Sequence, residues 1–151
     1  MEFEYIPPPD HVVVPAGTYT FEVLKFAVSQ TTESDTAKLL NAGYTAEQIA
    51  AADDNEISIR KVKFTFELTP EDGGEPIKAS ETLNLIPRMM WKLKQFRVAC
   101  GFDDPEGKAV RFNLEDFQSK TGSVKVSVKK KAKGDGEFND FTWVRPSTEP
   151  F

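Results

Sequence analysis

The chain carries one cysteine and one histidine in 151 residues. A single cysteine excludes an internal disulfide and any cysteine-rich zinc site. A nucleophilic Cys100 would need His11 as its base, and Cys100 falls on the apolar stripe of a helix. His11 itself sits in the opening segment MEFEYIPPPDHVVVP, where three consecutive prolines force an extended chain, and it reads as solvated. The first residues hold no basic, apolar signal region, and no apolar run approaches membrane-spanning length. A phosphate-cradling glycine loop is also missing, because the glycines of EDGG (71–74) and KGDG (133–136) read as turns between strands. Asp53 with Asp54, and Asp103 with Asp104, could ligate a divalent cation, yet adjacent acids in stretches rich in Asn, Gly and Pro are usually solvated. The expectation is a soluble cytoplasmic protein that is not an enzyme, with no catalytic residue, metal or cofactor and no membrane contact.

Aromatic residues are plentiful: twelve Phe, three Tyr and two Trp. They supply the core of one domain spanning 1–151, with an insertion at 29–56 and a flexible tail at 146–151. Charge is segregated along the chain. Residues 29–56 hold Glu33, Asp35, Glu47, Asp53, Asp54 and Glu56 against Lys38 alone, which accounts for the whole net charge of −5. Lys120 to Lys133 contains six lysines and no acid. Such segregation bears on partners more directly than the overall balance does.

Pro87 to Gly101, PRMMWKLKQFRVACG, is the one long helical stretch. Pro87 suits the first helical position and Gly101 the left-handed residue that ends a helix. Met89, Leu93, Phe96 and Cys100 form its apolar stripe, with Trp91 and Val98 on the other side. Three strands are expected before it and two after. In the first, Gly17 to Val28, apolar positions are odd up to Val23 and even from Leu24. In the second, Ile57 to Leu68, Ile57 and Ile59 give way to Val62, Phe64, Phe66 and Leu68. A changed phase predicts a bulge or sharp bend near Val23–Leu24 and near Arg60–Lys61. Two such strands suit a small curved barrel of five strands with the helix between the third and fourth.

The insertion reads as a helical hairpin. Ser34 or Asp35 caps one helix, Gly43 stops it, and Thr45 with Gln48 opens a second through a capping box. Its apolar residues, Leu39, Leu40, Tyr44 and Ile49, support a satellite contact only.

Lysines and aromatics interleave on the strands. Lys61, Lys63 and Lys78 mark the second and third; Lys125, Lys129, Lys130, Lys131 and Lys133 mark the fourth and its turn. Phe138, Phe141 and Trp143 follow on the fifth. Cations that track phosphates and aromatic faces that stack bases are what single-stranded nucleic acid requires. The plain alternative is that the lysines are a solvated face and the aromatics are core.

The element order and pattern resemble the OB-fold. Four stretches, PAGTYTFEVLKF, KFTFELTPEDGGEPIKASETLNL, WKLKQFRVACGF and SVKVSVKKKAKGDGEFNDFTWV, resemble a family of small tailed-phage proteins encoded near recombination genes. That resemblance implies sequence-independent binding of single-stranded DNA in phage replication or recombination, in the host cell cytoplasm. The acidic hairpin departs from the pattern, because it occupies a loop that often touches DNA in OB-folds. A second reading makes the chain a protein-interaction module whose hairpin and Trp91 face bind a phage or host protein. A homo-oligomer is compatible with either.

Overall fold

The computed structural model describes residues 1–4, 13–130 and 136–146. Five antiparallel strands form one sheet: β1 Gly17–Glu33, β2 Ile57–Pro70, β3 Ile77–Asn84, β4 Thr121–Lys130 and β5 Glu137–Val144. Their order across the sheet is β3-β2-β1-β4-β5. Two short helices, α1 Thr36–Asn41 and α2 Ala46–Ala51, separate β1 from β2, and α3 Met90–Ala99 lies between β3 and β4. The sequence anticipates this order. It also anticipates the limits of α3: Pro87 opens a 3₁₀ turn ahead of it, and Gly101 follows its last turn at φ 96°. No helix among the described residues is long and apolar enough to cross a membrane.

The sheet curls tightly around its phenylalanines. Phe66 on β2 and Trp143 on β5 lie three strand spacings apart, about 14 Å on a flat sheet. Their ring centroids are nevertheless 4.9 Å apart. Phe96 of α3 fills the middle, within 4.7 Å of Trp143 and 4.8 Å of Phe64. Helix and sheet approach closely at Gly122, where a Cβ would collide with the Ala99 carbonyl and come within 2.7 Å of the Phe21 ring.

The expected barrel does not close by hydrogen bonds, because β3 and β5 share no ladder. Helix α3 occupies the seam instead. Lys92 Nζ reaches Glu81 of β3 at 2.6 Å and Asp140 of β5 at 4.0 Å, while Gln95 Oε1 accepts from the Trp143 amide at 3.1 Å. Burial raises the pKa of Glu81 above its ordinary value even with Lys92 opposing, and Asp140 adds to the rise.

One of the two phase changes is a bulge and the other is not. Between Val23 and Lys25 the β1–β2 register slips, leaving Leu24 as the extra residue. At Arg60–Lys61 the register runs on without a shift. Ile57 and Ile59 stay on the same face as Lys61 and Lys63, and among the described residues that face is covered only at this end. The covering element is the α1–α2 hairpin, whose Leu39 and Ile49 are buried apart from the main core. A hollow of about 300 Å³ between hairpin and sheet is lined by Thr31, Lys38, Ala42, Ile59, Lys61 and Asn84, among others. So the apolar residues changed face because a second layer covers the end of the sheet.

The hairpin is capped by Asp35 and by the Thr45–Gln48 box as the sequence predicts. Gly43 is left-handed and pressed against α3's approach, where a Cβ would lie 2.8 Å from the Arg88 amide nitrogen. That amide donates to the Ala42 carbonyl at 3.0 Å. Strand β1 continues to Glu33, so residues 29–33 belong to the sheet and the insertion begins after them.

Candidate nucleic-acid interface

In an antiparallel sheet, residues in register share a face. The outer face of β1–β3 can therefore be read rung by rung. Ser29, Lys61 and Asn84 form one rung; Ala27, Lys63 and Thr82 the next; Lys25, Thr65 and Ser80 the third. These residues are exposed or half-buried, and the cations belong to none of the ion pairs among the described residues. Three lysines thus stand on successive rungs, over about 13 Å of strand, with only small or polar neighbours. The fourth rung holds Glu22, Glu67 and Lys78, so Lys78 sits beside two carboxylates. At the other end the acidic hairpin and Glu33 bound the patch. The result is a short basic track between two acidic margins.

Lys25 was absent from the residues that sequence reasoning singled out. The bulge at Leu24 moves it to the outer face, and alternation counted from Tyr19 would have turned it inward. The phase change was visible; its consequence for Lys25 was the signal left unused.

The terminal hairpin is arranged differently. Lys125 and Lys129 point outward, but Lys129 Nζ lies 3.0 Å from Asp140; Lys130 is exposed at the end of β4 with the opposite parity, in register with Glu137. Lys131 and Lys133 lie outside the described residues, as do most of the 133–136 turn and the last five residues of the tail.

The aromatic half of the expected site requires correction. Phe141 and Trp143 are 7% and 3% exposed, on the inner face of β5 opposite Val126 and Val124. Trp143 packs against Phe21, Phe66 and Phe96, so neither ring is presented to a base. Phe138 has the opposite parity and is 40% exposed, paired with Lys129. A strand's period of two has sorted the interleaved residues, with Phe141 and Trp143 inward beside Val126 and Val124 and with Lys125, Lys129 and Phe138 outward.

Trp91 is 59% exposed on the face of α3 away from the core, as its helical phase predicts. It borders a hollow of about 620 Å³ shared with Val98, Asp104, Pro105 and Arg145. Beside this hollow lies a buried charge that the sequence reading missed. Arg97 donates from Nε to Asp104 Oδ2 at 2.7 Å and from Nη2 to Oδ1 at 3.0 Å. Its guanidinium lies over Phe102 and Phe112, at 4.5 and 4.7 Å from their centroids. Asp104 therefore pins the 102–117 segment to the helix, and no metal-ligating cluster of three or more residues is found among the described residues. Cys100 is buried and its thiol is pushed up to about 12, which removes the thiolate a nucleophile requires.

No protein-family model matches this chain, and no curated protein does.

Proposed function

We propose that the chain is a single-stranded-DNA-binding protein of OB-like architecture, acting without sequence preference in phage DNA replication or recombination. The observation that carries the reading is the track of Lys25, Lys61 and Lys63 on the uncovered outer face of β1–β3. Paired strands hold their backbone positions, so the spacing of the three cations is set before a ligand arrives. Lys125, Lys129 and Phe138 form a lesser contact on the terminal hairpin, weakened by Asp140. Tight curling, the strand order and a helix standing in the β3–β5 seam support the OB-like architecture. Contacts to phosphates alone position a strand without reading its bases, which accounts for sequence independence.

A labelled oligothymidine titrated by fluorescence anisotropy at several salt concentrations tests the proposal. Three neutralised phosphates give a log–log slope near −2, at about 0.7 per phosphate on a single strand. No binding at low salt refutes the reading. It would turn attention to the exposed Trp91 and its adjoining hollow, the feature that favours a protein partner.

A further inference from the structure

Strand β1 is paired on both sides only as far as the bulge. Toward β4 its ladder ends at Glu22–Thr121, after which Val23 exchanges bonds with Ser119 and Lys120. From Lys25 to Glu33 it pairs with β2 alone, and no other backbone bond is made there among the described residues. Every second residue of that stretch turns its amide and carbonyl outward, away from β2.

An open edge of nine residues (25 to 33) invites pairing unless something guards it. The sheet's outer edges are guarded. β3 carries Lys78 and Glu81, with Lys92 bound to the latter; β5 carries Glu137 and Asp140, and Gln95 takes its Trp143 amide. KFAVSQTTE on β1 has no proline and no charge between its two ends, and Val28 is 50% exposed.

The order of these residues identifies the partner. Laid antiparallel against itself about Ser29, the segment sets Lys25 opposite Glu33 of the second copy, twice over by symmetry. Val28 falls opposite Gln30 and diagonal to the other Val28, so two exposed apolar side chains cover one another. Glu33 is available for this role, since its present partner Lys38 is a loose surface contact at 3.7 Å.

We infer that two copies of this chain associate through the free edge of β1, with Ser29 on the two-fold axis. The interface is isologous and closes on itself, giving a dimer rather than a filament. The axis stands perpendicular to the sheet, so β3-β2-β1 of both copies form one six-stranded layer, with Lys61 and Lys63 of both copies on the same face and each Lys25 at the seam. The pairing does not depend on nucleic-acid binding, and oligomeric state tests it without any nucleic acid.

Sedimentation velocity of the full chain, up to on the order of 100 micromolar, gives a monomer–dimer equilibrium. Lys25→Glu and Glu33→Lys each place like charges opposite one another and weaken the dimer by roughly tenfold, and the double variant regains it. Ser29→Lys sets two lysines on the axis and abolishes it. Ser29→Cys is linked into a covalent dimer by a short bis-maleimide, with the buried Cys100 not competing. A monomer at every concentration overturns the inference. So does a dimer that Ser29→Lys leaves intact, or a charge-swapped double variant no better than either single one.

Discussion

The two faces of this sheet are built from the same strands and do opposite work. On the inner face Phe21, Phe64, Phe66 and Trp143 surround Phe96, and Phe141 packs against Phe66 and Trp143. On the outer face of β1–β3 stand Lys25, Lys61 and Lys63 among Ala, Ser, Thr and Asn. In the sequence these residues alternate, and alternation suggests a mixed surface where cations and rings act together. In the molecule they are separated by the thickness of one strand. The packed aromatics stand on one face, and the exposed cations, unpaired among the described residues, stand on the other.

The separation can be broken most forcefully from inside. Trp143→Ala removes a ring in contact with four others and should cost about 3–5 kcal/mol of stability, read as a lowered denaturant midpoint at unchanged slope. Were Trp143 a stacking platform, the variant would stay stable and lose affinity alone. Either outcome places that ring on one face.

A smaller effect sharpens the boundary at the seam. Glu81 has a raised pKa in the folded state, so the native protein binds more protons than the unfolded chain between about 4.5 and the folded value. Its contribution therefore improves as pH falls through that window and is complete below the unfolded pKa. Glu81→Gln cannot titrate. Wild-type protein should gain stability relative to this variant as pH drops from 7 toward 4.5, by chemical denaturation at each pH. A gap that stays constant would mean that Glu81 is already matched by Lys92 and that the seam carries no titratable strain.

Much of this was legible beforehand, and the failures have physical causes. Helix limits were legible because Pro87 and Gly101 act locally, and strand phases because one face is apolar. The bulge at Leu24 was legible for the same reason. The meaning of the second phase change was not, since a bulge and a newly covered face leave the same trace in a sequence. Phe138 and the pair Phe141 and Trp143 differ in parity, so their opposite fates were available to a stricter count. Arg97 lies four residues after Leu93 and so on the buried stripe. Its partner Asp104 is set by the fold of a loop, which no periodicity encodes.

The central claim is that anion binding resides on the outer face of β1–β3. Two triple variants, one reversing Lys25, Lys61 and Lys63 to Glu and one reversing Lys125, Lys129 and Lys130, test it directly. Each is titrated with labelled oligothymidine across a salt series, with circular dichroism confirming the fold. The first should lose binding by at least about tenfold and flatten the salt slope, whereas the second should retain most of the slope, because Asp140 and Glu137 already offset its cations. The reverse ranking, or a first variant that binds as wild type does, would contradict the account.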